Sequence, residues 1–183
     1  MNWNDLIADE NMWIGNFDEG RGGNALDRII VHHNAGKAMS HGGVYAAFSA
    51  NGTSAHYNVD IDGNICQFVH DSDTAWHCPG VNRVSIGIEH ANSTGADGGW
   101  DIGEDTLDAG AHLVAALCRG YGLGLPEWRV NVFPHSDFYS TACPASLRDT
   151  YADEYIEKAQ EYYNNLDLDL SAKEGWVSQD GGW

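Results

Sequence analysis

The strongest constraint on how this chain folds is the segment SAHYNVDIDGNICQFV, residues 54–69. Apolar and polar side chains alternate along its first half, which is the pattern of a β-strand with two unlike faces. An Asp62-Gly63 pair separates this half from a second apolar run. Asp-Gly between two such runs is typical of a type I′ turn, because that turn needs residues that adopt positive φ. The segment therefore predicts an antiparallel hairpin.

Further elements follow from apolar runs and helical spacing. The predicted strands cover 28–33, 84–90 and 129–133, and the predicted helices cover 43–50, 104–121 and 147–166. The polar, glycine-rich stretch 1–27 predicts a short helix or loop. Strands that alternate with helices predict an α/β fold with a central mixed β-sheet flanked by helices. At 183 residues and 43% apolar composition, the chain can form one domain with a substantial core.

Charge excludes several classes of partner. Nine Lys and Arg against 27 Asp and Glu give a formal net charge of −18. Such a chain repels nucleic acid and anionic membrane surfaces, since both are bound by cationic side chains. No apolar run is long enough to span a membrane. We expect a monomer that binds neither nucleic acid nor membrane. Four cysteines are too few for a disulfide scaffold, although Cys66 and Cys78 could pair across the hairpin and the following loop.

Candidate metal ligands lie at the ends of predicted strands. His32 ends the first strand, His135 follows the last strand, and Cys143 lies eight residues further on. Imidazole and thiolate are the donors that Zn²⁺ prefers, and a catalytic site leaves one position open for water. His33 should face the opposite side of its strand, where it packs or forms hydrogen bonds. Asp137 is the rival third ligand.

Five blocks of the sequence carry a family resemblance. In chain order they are IIVHHNAG, SAHYNVDIDGNICQFV, DTAWHCPG, SIGIEHAN and PHSDFYSTACP. Together, over residues 29–147, they resemble the zinc-dependent N-acetylmuramoyl-L-alanine amidases. That family includes phage-type amidase lysozymes, bacterial cell-wall-recycling amidases and animal peptidoglycan recognition proteins. The resemblance implies hydrolysis of the amide between the lactyl group of N-acetylmuramic acid and L-alanine in bacterial peptidoglycan.

The resemblance also assigns roles to residues. It implies that Zn²⁺ is held by His32, His135 and Cys143, and that Trp76 and His77 line the substrate cleft. It places the acid/base residue at Glu89. The residues themselves agree, because an alternating strand points Glu89 away from the apolar face, and a carboxylate beside a zinc-bound water can accept its proton.

Two positions depart from the phage-type pattern. Ala55 stands where those lysozymes have Tyr, and Thr141 stands where they have Lys. The expectation is therefore that zinc, together with Thr141 or His77, holds the oxyanion in place of an ammonium group. Cys143, which recognition proteins without catalysis usually lack, favours an enzyme over the alternative, a non-catalytic peptidoglycan-binding module. A zinc nucleobase deaminase is disfavoured because its HxE and PCxxC motifs are absent.

The C-terminal stretch differs in kind from the rest. We place the boundary near Asp167, so that the amidase domain covers 1–166. The end of the chain, KEGWVSQDGGW, resembles the start of an aromatic, glycine-rich cell-wall-binding repeat. Residues 167–183 are then a linker and the opening of such a repeat, in the catalytic fragment of a phage endolysin. A tail that packs as a strand or stays disordered is the alternative. The N-terminus shows no secretory signal. We expect a protein that acts on the bacterial cell wall and is either secreted or held in the cytoplasm until phage lysis releases it.

Overall fold

A six-stranded mixed β-sheet forms the centre of the molecule. The structure is a computed structural model that describes residues 1–3 and 5–166. The strands are β1 (Glu10–Asn11), β2 (Phe17–Asp18), β3 (Arg28–Val31), β4 (Tyr57–Val59), β5 (Ile65–Gln67), β6 (Thr74–Ala75), β7 (Ser85–His90) and β8 (Val132–Pro134). The helices are α1 (His41–Asn51), α2 (Glu104–Gly120), α3 (Ser146–Asp149) and α4 (Ala152–Asn165).

The sheet has the strand order β1-β5-β4-β7-β3-β8, and β2 and β6 pair separately. Its only antiparallel pair among the described residues is the hairpin β4–β5. The four strands β4, β7, β3 and β8 are parallel, so their carboxyl ends meet at one edge of the sheet. This architecture confirms the predicted α/β class with a mixed sheet flanked by helices.

One face of the sheet carries the main core. Alternate residues of β3, β4 and β7 are buried there against α2 and α4, and they are Ile29, Val31, Tyr57, Val59, Ile86 and Ile88. Helix α2 approaches β7 closely at Gly110, where an added Cβ would lie 2.4 Å from His90 Nε2. His90 Nε2 lies 2.8 Å from the hydroxyl of Tyr155 on α4. These contacts hold α2 and α4 against β7 on the main-core face of the sheet.

The opposite face is covered over only part of its area. Helix α1 begins where Ser40 Oγ accepts a hydrogen bond from the Gly43 amide, and it ends at Gly52, which adopts a left-handed φ of 66°. This helix buries Val44 and Phe48 in a second, smaller apolar cluster. The apolar cover stops short of the carboxyl ends of the parallel strands, where histidines and a carboxylate take its place.

The hairpin is confirmed, but its turn is longer than predicted. The Asp60 amide donates to the Asn64 carbonyl at 2.9 Å, so three residues lie between this pair. Positive φ is needed only at Gly63 (78°) and not at Asp62. This is the pattern of a turn followed by a left-handed glycine, as in three-residue hairpin loops. The Asp60 carboxylate stabilises it by accepting from the amides of Asp62 and Asn64.

Two boundaries near the ends of the sheet were predicted wrongly. The N-terminal stretch, predicted as a short helix or loop, contains the short strands β1 and β2, and two-residue strands have no sequence period to detect. Strand β8 begins at Val132, three residues late. Arg129 has a φ of 60°, and the Asn131 side chain binds the carbonyls of Leu123 and Leu125, so this segment is a turn.

The predicted C-terminal helix is divided into α3 and α4. The break lies at Tyr151, which leaves helical geometry (φ −108°, ψ 5°) and whose hydroxyl donates to the Asp101 carboxylate at 2.6 Å. All four cysteines are free thiols, so Cys66 and Cys78 do not pair. None of the helices within residues 1–3 and 5–166 is long and apolar enough to cross a membrane. The predicted linker and repeat, 167–183, lie outside the described residues.

Candidate metal centre and active site

The register of four parallel strands sets polar side chains in one row. The His32 amide donates to Ile88 O and the His90 amide donates to His32 O, which places Glu89 directly opposite His32. On the other side of Glu89, the register pairs it with Asn58 of β4. His135 follows β8, and its ring centroid lies 4.4 Å from that of His32. The row lies on the sheet face opposite the main core.

Cys143 completes a cluster of three possible metal ligands. One donor atom from each of His32, His135 and Cys143 lies within 4.8 Å of the others. Cys143 Sγ is 3.8 Å from His32 Nδ1 and accepts a hydrogen bond from the His33 amide at 3.4 Å. The loop that carries it is held by a bond from the Ser136 amide to the Cys143 carbonyl. Residues far apart in sequence thus converge at the carboxyl edge of the sheet.

The donor set fits a zinc ion. Burial lowers the pKa of His32 well below its ordinary value and lowers that of His135, so both imidazoles are neutral and each has a lone pair to donate. His135 Nε2 is buried and has no hydrogen-bond partner within residues 1–3 and 5–166, as expected of a ligand atom. Burial raises the pKa of the Cys143 thiol, and the charge of Glu89 adds to this effect. A bound cation would reverse that shift and favour the thiolate.

Asp137, the rival third ligand, lies outside this cluster. Its carboxylate forms a two-point pair with the guanidinium of Arg129, with N–O distances of 2.7 and 3.2 Å. His33 behaves as predicted, because its Nδ1 lies 3.0 Å from Asn92 Oδ1. The cluster therefore agrees with the two histidines and the cysteine named from the sequence.

Glu89 occupies an environment that disfavours its charged form. Burial raises its pKa from 4.5 to about 8. The residue as a whole is half-buried, but its Oε2 atom is buried and has no hydrogen-bond partner in the described part of the chain. A carboxyl group with a pKa near neutrality can both accept and donate a proton at physiological pH. Its position beside His32 therefore suits general acid–base chemistry at the cluster.

A cavity of about 450 Å³ opens beside the cluster. Its wall includes Trp76, His77 and His135. Tyr139 also lines it, is 53% exposed, and stacks on His135 with ring centroids 5.6 Å apart. Trp76 is fixed by a hydrogen bond from its Nε1 to the Asp18 carboxylate at 3.1 Å. The cavity joins His135, one of the three possible ligands, to an aromatic surface that an extended substrate could contact.

His77 and Thr141 lie at the site with their polar atoms partly engaged. His77 is buried, its Nδ1 lies 3.0 Å from His32 Nε2, and its Nε2 lies 3.2 Å from Ser85 Oγ. The ring therefore lines the cavity while both of its nitrogens face protein groups. Thr141 Oγ1 accepts from the Cys143 amide at 3.2 Å, which leaves its hydroxyl hydrogen free to donate.

Sequence reasoning missed three residues of this site. Gly87 lies in β7 under the His77 ring, and a glycine inside a strand was the available signal of a close approach. Tyr139 gave no signal beyond its place between His135 and Cys143. Asn58 is fully buried next to Glu89, with its Oδ1 unpartnered and its Nδ2 2.8 Å from His41 Nδ1. Its position on the polar face of the alternating strand was the signal.

Comparison with known families decides the assignment. The family model described as N-acetylmuramoyl-L-alanine amidase matches residues 22–146, more than half of the chain. The chain belongs to the N-acetylmuramoyl-L-alanine amidase family. The match includes the strands β3 to β8 and all three possible metal ligands, so the resemblance seen in the sequence is confirmed.

Individual relatives agree with this family. N-acetylmuramoyl-L-alanine amidase A of Achromobacter lyticus is 35% identical over 71 residues, which are 38% of this chain and 39% of that protein. The aligned part thus spans less than half the length of this curated relative. The catalytic domain of XlyA superposes with a TM-score of 0.61 at 28% identity, covering 82% of this chain and 97% of that chain. The hydrolase AmiA of Staphylococcus aureus shares the fold, with a TM-score of 0.68 at 19% identity over 87% and 86% of the two chains.

The raised pKa of Glu89 makes a prediction about stability in the metal-free amidase fold. Its pKa of about 8 in the folded state exceeds the ordinary value of 4.5, so the folded state binds this proton more tightly than the unfolded state does. The resulting stability is complete below the ordinary value and is lost as pH rises through about 8. Each unit of difference contributes about 1.4 kcal/mol, so the loss is at most a few kcal/mol.

We therefore expect the free energy of unfolding of chelator-treated protein to fall between about pH 5 and pH 8 relative to that of the Glu89→Gln variant. The buried histidines, whose pKa values are lowered, act in the opposite direction at the lower end of this range and contribute alike to both proteins. Urea denaturation of both proteins across this pH range measures the difference. Equal slopes for the two proteins would show that Glu89 is not desolvated.

Proposed function

We propose that this chain is a zinc-dependent amidase that hydrolyses the bond between the lactyl group of N-acetylmuramic acid and L-alanine in bacterial peptidoglycan. The observation that carries the proposal is the pairing of Glu89 with His32 on adjacent strands, beside His135 and Cys143. A binding module needs an aromatic groove, but it needs no buried carboxyl group next to three metal donors. Family membership supports the same reaction.

The proposed zinc ligands are His32, His135 and Cys143. When bound, Zn²⁺ acts as a Lewis acid that activates water and stabilises negative charge on the scissile carbonyl. Two neutral imidazoles and one thiolate leave the ion with a net positive charge, and three protein ligands leave a coordination position open. The cation would also lower the pKa of Glu89 from its metal-free value, so that the carboxylate can act as a base at neutral pH.

Glu89 is the proposed proton carrier. Its unpartnered Oε2 accepts the proton of the attacking water and then delivers a proton to the departing amine of L-alanine. The products are a free lactyl carboxylate and a peptide with a free N-terminal alanine. The hydroxyl of Thr141, whose oxygen already accepts from the Cys143 amide, is free to donate to the developing oxyanion.

The aromatic side chains of the cavity are the proposed substrate contacts. Trp76 and Tyr139 line the same cavity as His77 and present apolar surface there, and muropeptide sugar and peptide segments bury against such surfaces. The net charge of −18 supports a partner other than nucleic acid. We propose that the protein acts as a monomer on the bacterial cell wall, as an endolysin does.

A digest of a defined muropeptide tests the reaction. We expect mass spectrometry to show one new free lactyl carboxyl group and one new N-terminal alanine for each bond cleaved. A strong chelator should abolish the cleavage, and added zinc should restore it. Cleavage at another bond would overturn the proposed specificity. Retained muropeptide binding without turnover in zinc-loaded protein would assign the chain to the binding modules.

The Glu89→Gln variant tests the proton transfer by Glu89 separately from zinc binding. The amide keeps the shape of the side chain but cannot accept the proton, so we expect turnover to fall by about 10²–10⁴-fold. Zinc content, measured by elemental analysis, should remain at the level of the unaltered protein, because Glu89 is not a ligand. Near-normal turnover in this variant would remove Glu89 from the mechanism.

A further inference from the structure

His32 uses both of its ring nitrogens in the candidate site. Nδ1 lies 3.8 Å from Cys143 Sγ, on the side of the metal cluster, whereas Nε2 lies 3.0 Å from His77 Nδ1. A neutral imidazole carries a hydrogen on only one nitrogen. If that hydrogen were on Nδ1, His32 would have no lone pair to donate toward the cluster. The tautomer of His32 therefore decides whether the metal site can form.

The contacts of His77 determine this tautomer. The Ser85 hydroxyl donates to the Val81 carbonyl at 2.8 Å, so its oxygen is left as an acceptor. His77 Nε2 lies 3.2 Å from that oxygen. This acceptor places the ring hydrogen of His77 on Nε2. Its Nδ1 then has a lone pair and accepts from His32 Nε2–H.

The place of the His77 ring depends on Gly87. An added Cβ at Gly87 would lie 2.6 Å from Cγ and 2.7 Å from Nδ1 of His77, much closer than a Cβ can approach. The ring therefore lies directly on the backbone of β7. Ser85 and Gly87 are two residues apart and therefore lie on the same face of the sheet. Strand β7 thus supplies both the hydrogen-bond acceptor for His77 and the space that its ring occupies.

We propose that His77, held by Ser85 and seated on Gly87, is a positioning residue that fixes His32 as the Nε2–H tautomer and so makes Nδ1 the metal donor. The inference rests on the proposed zinc site and adds to it. It also gives both nitrogens of His77 a role inside the protein, so that only its ring surface faces substrate. Such outer contacts of a metal-binding histidine typically contribute about 10–100-fold to metal affinity.

The first test needs no metal. Long-range ¹H–¹⁵N correlation spectra of the metal-free protein distinguish the two tautomers of each neutral histidine. We expect His32 and His77 both to carry hydrogen on Nε2. Hydrogen on Nδ1 of His32 would overturn the proposal, whether or not the protein proves to hydrolyse muropeptides.

The second test measures zinc affinity by competition with a chelator. Because Ser85→Ala, Gly87→Ala and His77→Leu each remove one element of the arrangement, we expect each to weaken zinc binding by about 10–100-fold. His77→Asn can present an amide oxygen near the position of Nδ1 and should restore most of the affinity that His77→Leu loses. Equal affinity in Ser85→Ala, His77→Leu and the unaltered protein would contradict the proposal.

Matched substitutions away from the site serve as controls. Ser49→Ala and Gly42→Ala make the same changes on α1. Ser49 Oγ donates to the Tyr45 carbonyl of its own helix, and an added Cβ at Gly42 would lie 4.0 Å from the nearest described neighbour, Ser40 Oγ. Both should bind zinc as the unaltered protein does. If His77→Leu fails to fold by circular dichroism, Ser85→Ala, which removes a single oxygen atom, decides the outcome. Absence of zinc binding in the unaltered protein would instead contradict the proposed function, and the tautomer spectra would still test this inference.

Discussion

The parallel register of β4, β7, β3 and β8 is the constraint on which the site depends. It places Asn58, Glu89, His32 and His135 in one row, because corresponding residues of adjacent parallel strands face the same side. A shift of one residue in any strand would turn its polar side chain into the main core and bring an apolar one into the site. The buried residues of the opposite face therefore fix the register of the strands, and the register fixes the positions of the polar side chains in the site.

The polar side chains in this row lower the stability of the folded protein. Glu89 and Asn58 each have a buried oxygen without a partner, and His135 has a buried nitrogen without one. Unpartnered buried polar atoms typically cost about 1–3 kcal/mol each. Three of them in adjacent places support the proposal of a site for an external ion or substrate. The tight packing of α2 and α4 on the other face, through Gly110 and Tyr155, provides a rigid base for this arrangement.

Much of this site could be predicted from the sequence, and the reason differs from residue to residue. His32 and Glu89 lie at the ends of strands with clear apolar patterns, so their shared edge followed from the α/β class. Cys143 depended on the resemblance, because nothing in the local pattern of its loop distinguishes it from Asp137. In the structure Asp137 pairs with Arg129, and no periodicity reveals this pairing or the left-handed backbone of Arg129. The roles of Ser85 and Gly87 arise from contacts with His77, which lies in a separate loop, so the sequence offered only the isolated glycine as a signal.

The central claim is that His32, His135 and Cys143 hold one zinc ion in a site that is open to water. X-ray absorption at the zinc edge of the zinc-loaded protein tests it most directly. The account predicts one sulfur at about 2.3 Å together with two imidazole nitrogens and one oxygen at about 2.0–2.1 Å. Conversion of Cys143 to Ser should remove the sulfur contribution. A zinc environment without sulfur, or one saturated by four protein ligands, would contradict the account.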